Sequence, residues 1–127
     1  MQSTNDFDAL LKSAIKAAEA AYAPYSGYRV GAALLCGNGT VVTGCNVENA
    51  SYGLTICAER NAISAAIAAG LTKFEAIAIV AASSGTASSI ASAHPYPCGA
   101  CRQSMTEFCS KDFPIATATI DSLDQYR

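Results

Sequence analysis

Apolar positions in the first part of the chain recur every three to four residues and then give way to short runs. Phe7, Leu10, Leu11, Ala14, Ile15, Ala18 and Ala21 form one stripe of a helix over residues 6–22, with Asn5 or Asp6 available to cap it. Ala23-Pro24-Tyr25-Ser26-Gly27 ends that helix, because proline restricts the residue before it and glycine permits a turn. Tyr28 to Cys36 and Thr40 to Cys45 are apolar runs flanking Gly37-Asn38-Gly39, the pattern of an antiparallel hairpin. Asn46 to Leu54 is polar and turn-rich. From Cys57 an alanine-rich helix is expected to run to about Ala69, closed by Gly70. Phe74 to Ala82 is continuously apolar and predicts a strand covered on both faces. Residues 83–97 hold Ser, Gly, Ala and Pro and read as a loop. A helix from Cys98 to about Cys109 and a strand from Pro114 to Ile120 complete the pattern. Strand-helix-strand order favours parallel pairing with helices over the sheet. The expected fold is therefore α/β, a three-layer α/β/α sandwich with a mixed sheet. Residues 1–127 are expected to form a single domain without internal repeats.

Composition narrows the function. Half of the 127 residues are apolar and only 14% are charged, so a sizeable core is expected and disorder is not. The net charge is −2 and no run of lysine or arginine occurs, whereas a protein that grips a polynucleotide backbone shows a basic face. A small-molecule ligand is expected and a nucleic-acid partner is not. The first residues, Met-Gln-Ser-Thr-Asn-Asp-Phe-Asp, have neither the basic start nor the apolar core of a signal peptide, and no apolar run is long enough for a membrane. Six cysteines in such a context read as thiols or metal ligands in a reducing compartment, which points to the cytoplasm.

Two stretches concentrate the chemistry. Thr55-Ile-Cys-Ala-Glu-Arg-Asn61 places Cys57 two residues before Glu59 at a helix entrance. Pro97-Cys98-Gly99-Ala100-Cys101-Arg102-Gln103 puts two thiols on one side of a helical turn, with proline at the opening position where its missing N–H is not needed. Three cysteines on a tetrahedral zinc ion leave a fourth position for water, the catalytic rather than the structural arrangement. Glu59 is too close to Cys57 to be an easy ligand but is suited to moving protons. Three thiolates on a divalent ion carry an excess negative charge, which helix N-termini and a nearby cation can offset. Arg60 is the first candidate for that cation and Arg102 the second. Blander readings exist: Cys98-x-x-Cys101 alone suits a redox pair, and three cysteines with His94 suit a closed structural zinc site. Both leave Glu59 without a role. Cys36, Cys45 and Cys109 read as small buried apolar residues.

The order zinc ligand, x, Glu, then Pro-Cys-x-x-Cys is that of the zinc deaminases. The chain resembles the small homotetrameric cytidine deaminases that hold zinc with three cysteines. The resemblance runs from Tyr22 to about Phe108. It rests on Ala23-Pro24-Tyr25-Ser26, Val30-Gly31-Ala32-Ala33-Leu34, Gly44-Cys45-Asn46-Val47-Glu48-Asn49, Cys57-Ala58-Glu59-Arg60 and the Pro97 to Gln103 block. The resemblance implies one zinc per chain on Cys57, Cys98 and Cys101. It makes Glu59 the group that takes a proton from the attacking water and hands it to N3 of the pyrimidine. Asn46 and Glu48 would hold ribose hydroxyls, Tyr28 would pack near the nucleoside, and the backbone at Ala58 and Cys98 would meet the base. Tyr52 would lie near a neighbouring subunit's site in a homotetramer with shared sites. The expected reaction is hydrolysis of cytidine and 2′-deoxycytidine to the uracil nucleosides and ammonia, a step of pyrimidine salvage. A carboxylate at Glu48 accepts bonds from sugar hydroxyls and repels phosphate, which favours a free nucleoside. The alternatives are a deaminase of a modified cytosine nucleoside such as blasticidin S, and a zinc-stabilised module without activity.

Overall fold

A computed structural model describes residues 4–83, 103, 107 and 113–120. Helix α1 spans Thr4–Ala18, strand β1 Tyr28–Cys36 and strand β2 Val41–Cys45. A 3-10 turn at Tyr52–Leu54 leads to helix α2, Ala58–Ala68, and then to strands β3, Phe74–Ser83, and β4, Ile115–Ile120. The sheet order is β2-β1-β3-β4. β1 pairs antiparallel with both β2 and β3, and β3 pairs parallel with β4, so the sheet is mixed as expected.

Alternation along the strands sends successive side chains to opposite faces. Ala33, Ala76, Ala78, Val80 and Ala82 meet Leu10, Ala14 and Ala18 of α1. Ala32, Leu34, Cys36, Ile77 and Ile79 meet Ala58, Ala62, Ile63 and Ala66 of α2. The two helices thus cover opposite faces, which makes three layers. Leu34, Ile77 and Ile79 are fully buried, and burial of each such side chain stabilises the fold by roughly 1.5–3 kcal/mol.

Glycines set how closely each helix sits. A methyl group built on Gly31 would overlap the Ala14 carbonyl of α1. One built on Gly44 would come within 2.5 Å of the Ala62 nitrogen and 2.6 Å of the Ala58 carbonyl oxygen of α2. Both helices therefore rest backbone against strand. At Gly44 this fixes the start of α2.

Several boundaries differ from expectation. α1 ends at Ala18 and not at Tyr22, because the Tyr22 N–H donates to the Asn46 carbonyl (3.0 Å) and draws the chain into a bridge with Val47. β2 begins at Val41 rather than Thr40, and the hairpin closes through Gly39, whose positive φ of 89° suits glycine. Residues 46–54, expected as turns, are tied down by bridges from Val47 to Tyr22 and to Ile56. β3 runs to Ser83, one residue into the loop expected over residues 83–97, and the rest of that loop lies outside the described set; Gln103 and Glu107 are helical, and the other residues of the helix expected from Cys98 to about Cys109 also lie outside it.

Candidate active site

Cys57 is the N-cap of α2, with extended backbone (φ −73°, ψ 154°) and no capping hydrogen bond from its side chain. Its sulfur therefore stands at the N-terminal, positive end of the helix. Ala58 follows as the first helical residue and is fully buried. Its N–H has no carbonyl inside the helix to bond. Glu59 stands in the first turn and is only 4% exposed. A carboxylate buried this deeply in the first turn of a helix is unlike a surface acid. It and Asn46 are the buried polar side chains among the described residues.

The segment before Cys57 is joined to the strap carrying the other predicted residues. The Val47 N–H donates to the Ile56 carbonyl (2.9 Å) and the Ile56 N–H to the Val47 carbonyl (3.0 Å). Asn46 and Glu48 flank one member of this pair and Cys57 adjoins the other. A second tie comes from Asn61 of α2, whose Nδ2 donates to the Cys45 carbonyl at 2.7 Å. Arg60 Nη2 donates to the Thr55 carbonyl at 3.1 Å, so the arginine holds the turn leading into Cys57.

Asn46 acts as a substitute for a strand neighbour. Its Oδ1 accepts the Val30 N–H at 2.9 Å and its Nδ2 donates to the Tyr28 carbonyl at 2.9 Å. Glu48 is held from another side. Its Oε1 accepts the N–H groups of Tyr25 (3.1 Å) and Ser26 (3.2 Å), and its Oε2 accepts the Ser26 hydroxyl. The Ser26 Oγ in turn accepts the Tyr28 N–H at 3.0 Å. Tyr28 opens β1 half-buried, and burial pushes its phenol above the ordinary 10.0, so the pocket gains no negative charge from it at neutral pH. Tyr52 lies in the 3-10 turn between Glu48 and Cys57.

All these residues lie at one end of the sheet. The Asn46 strap leaves the end of β2, and Tyr28 at the start of β1 pairs with Ser83 at the end of β3. Cys98, Cys101 and Arg102 lie outside the described residues. A cavity of about 540 Å³ lined by Cys36, Leu71, Lys73 and Glu75 is at the opposite end and takes no part in this cluster.

The structure brings Cys57, Ala58, Glu59, Arg60, Asn46, Glu48 and Tyr28 into one connected unit. It also adds Ser26 and Asn61, to which the sequence had given no function. Ser26 precedes a glycine and reads as an ordinary turn residue. Its partner is 22 positions away and no local signal marks it. Among the described residues no three His, Cys, Asp or Glu side chains form a group that could hold a metal; the chemistry of Cys57 at a helix entrance, with the buried Glu59 two residues on, fits a zinc site that the thiols of Cys98 and Cys101 would complete.

Comparison with known proteins points the same way. The family model described as the cytidine and deoxycytidylate deaminase zinc-binding region matches residues 4–117. The cytidine deaminase of Sporosarcina psychrophila is 46% identical over 110 residues, 87% of this chain and 75% of that protein. That of Halalkalibacterium halodurans is 50% identical over 110 residues, covering 87% and 77%. The crystal structure of cytidine deaminase from Burkholderia pseudomallei superposes with a TM-score of 0.75 at 40% identity, over 98% of this chain and 96% of that one. That from Mycobacterium tuberculosis gives 0.75 at 39% identity, over 90% and 89%.

Proposed function

The chain belongs to the cytidine and deoxycytidylate deaminase zinc-binding family, and from that premise we propose that it hydrolyses cytidine and 2′-deoxycytidine to the uracil nucleosides and ammonia. The observation that carries the assignment is the buried Glu59 carboxylate in the first turn of α2, next to Cys57 at the cap. A structural zinc site has no use for such a group, whereas a hydrolytic deaminase needs a proton carrier beside the reacting carbon.

Cys57, Cys98 and Cys101 would hold one zinc ion. When bound, zinc supplies Lewis-acid activation of water and of the developing charge. The chain's own residues do the rest. Glu59 takes up a proton from the attacking water and delivers it to N3 of the pyrimidine as C4 becomes tetrahedral; it then takes the proton of the new C4 hydroxyl and gives it to the amino group, so that the C4–N bond breaks, the carbonyl forms and ammonia leaves. The Ala58 N–H, lacking a partner within the helix, is placed to hold the base edge. Asn46 and Glu48 receive the sugar, Tyr28 packs beside it, and Arg60 and Arg102 offset the negative charge of three thiolates.

A homotetramer that shares sites through Tyr52 agrees with the apolar residues left exposed on the strap, Val47, Leu54 and Ile56, and on the segment before β1, Tyr22 and Tyr25. No helix among the described residues is long and apolar enough to cross a membrane. A cytoplasmic location and a role in pyrimidine salvage complete the proposal.

The test is the loss of cytidine absorbance, with ammonia measured, on protein carrying measured zinc. Glu59→Gln is expected to keep zinc and fold while losing at least 100-fold in kcat. Stoichiometric zinc with no turnover of either nucleoside by the unmodified chain would overturn the assignment.

A further inference from the structure

Glu48 is the residue whose surroundings say most beyond its proposed contact with sugar. A carboxylate offers about four acceptor positions, two on each oxygen. Oε1 accepts two backbone N–H groups, from Tyr25 and Ser26, which fills it. Oε2 accepts the Ser26 hydroxyl, which leaves one position. The hydroxyl is itself oriented, because its oxygen accepts the Tyr28 N–H and its only proton is therefore turned to Glu48. The turn that presents Ser26 is fixed by Gly27, whose φ of 70° lies in the left-handed region.

We propose that Ser26 is a positioning residue that blocks one side of the Glu48 carboxylate and leaves a single acceptor position for one sugar hydroxyl of the nucleoside. This rests on the assignment of Glu48 to the sugar. It adds that Glu48 reads one hydroxyl and not two, and that the reading is set by a side chain that does not touch substrate. The arrangement has a chemical logic. A carboxylate held only through Oε1 can rotate and share itself between both hydroxyls of a ribose. Pinned through Oε2 as well, it rewards a donor from one direction only. Because Ser26 also carries the start of β1 through Tyr28, the orientation of the carboxylate is coupled to the strand on which the nucleoside packs.

The experiment compares kcat and KM of the zinc-loaded protein for cytidine, 2′-deoxycytidine, 3′-deoxycytidine and 2′,3′-dideoxycytidine, with Ki replacing KM where turnover is slow. In the unmodified enzyme one of the two single deletions is expected to lower kcat/KM strongly and the other weakly. Ser26→Ala is expected to lower kcat/KM for cytidine about tenfold, mainly through KM, as befits a hydrogen bond to a charged group. The analogue lacking the recognised hydroxyl should fall less than about twofold, since it never used the position Ser26 defends. Ser26→Thr, which keeps the hydroxyl, should restore the wild-type ratios. Equal losses on all four substrates, or none on any, would overturn the role of Ser26. Glu48→Gln measured in parallel separates the two layers. If it alters the substrate ratios while Ser26→Ala does not, Ser26 alone is wrongly assigned. If Glu48→Gln leaves every ratio unchanged, the sugar assignment itself fails. Should Ser26→Ala not fold by circular dichroism, Ser26→Cys, a weak donor of similar size, is judged by the same ratios.

Discussion

Replacement of Gly44 by alanine tests how far the position of α2, which carries Glu59, is set by a strand to which no catalytic group is assigned. The added methyl would lie 2.5 Å from the Ala62 nitrogen, 2.6 Å from the Ala58 carbonyl oxygen and 3.0 Å from the Ala62 Cα. All three are backbone atoms of α2, so no side chain can swing aside. Restoring an ordinary 3.4 Å contact requires the helix start to withdraw by about 0.9 Å. Ala58 lies between Cys57 and Glu59, so this displacement falls on the proposed ligand and the proton carrier. Overpacking of this kind costs about 1–3 kcal/mol of stability, and a misplacement near 1 Å costs about 100-fold in rate. Gly44→Ala is therefore expected to fold, with Tm lowered by several degrees and kcat/KM for cytidine lowered by about two orders of magnitude. Gly37→Ala is the control, since its methyl would meet Lys73 Cβ at an ordinary 3.4 Å. Gly31→Ala is the counterpart on the other face, where the clash is with α1 and the loss should be of stability rather than of rate in the folded fraction. Thermal unfolding and steady-state kinetics on the three variants decide the matter. Wild-type kcat/KM in Gly44→Ala would refute the coupling between β2 and the site.

Asn46→Ala removes the partners of the Val30 N–H and the Tyr28 carbonyl together, so denaturant unfolding should show a loss of roughly 2–4 kcal/mol, beyond any effect on substrate. Burial pushes the thiols of Cys36 and Cys45 above their ordinary 9.0. The unfolded chain then releases those protons before the folded chain does. Stability is accordingly complete below about pH 9 and falls as pH rises toward the folded values, and Cys36→Ala should flatten that decline in denaturant midpoints measured from pH 7 to 10. Arg60→Ala should weaken zinc retention against a competing chelator and loosen the turn at Thr55; a variant that kept full zinc affinity and full activity would remove Arg60 from the metal's surroundings.

Much of the fold was legible because the binary pattern carries it. Apolar runs at Tyr28–Cys36 and Phe74–Ala82 became the two central strands, the second one residue longer than expected, and their alternation divides the core between α1 and α2. Local pattern failed where the deciding partner is distant. The apolar stripe that suggested a helix up to Tyr22 could not reveal that Asn46 captures the Tyr22 N–H. The polar stretch after β2 read as turns because bridges such as Val47 with Ile56 leave no period in so short a segment. The same limit applies at the site. Cys57 and Glu59 announce themselves by spacing, since both stand at one helix entrance, but Asn46 and Glu48 look like polar turn residues until their partners are known.

Those partners also explain how a site spread over four segments keeps its shape. Asn46 joins β2 to β1 through its amide, Glu48 joins the strap to the turn before β1, and Asn61 joins α2 back to the end of β2. Each link is a side chain bonded to backbone, so it fixes a chain path and not merely a neighbouring rotamer. Because Asn46 and Glu48 have half or more of their hydrogen-bonding capacity engaged within the protein, a nucleoside bound as proposed would meet groups that are already oriented. Little rotamer entropy remains to be lost on binding, and the sugar's contribution to positioning the base is correspondingly larger. The residues proposed for the sugar are thus the same ones that hold the strap against β1 and the turn before it. Their substitution should disturb rate and stability together, while Glu59, buried beside Cys57, is the position where rate alone should fall.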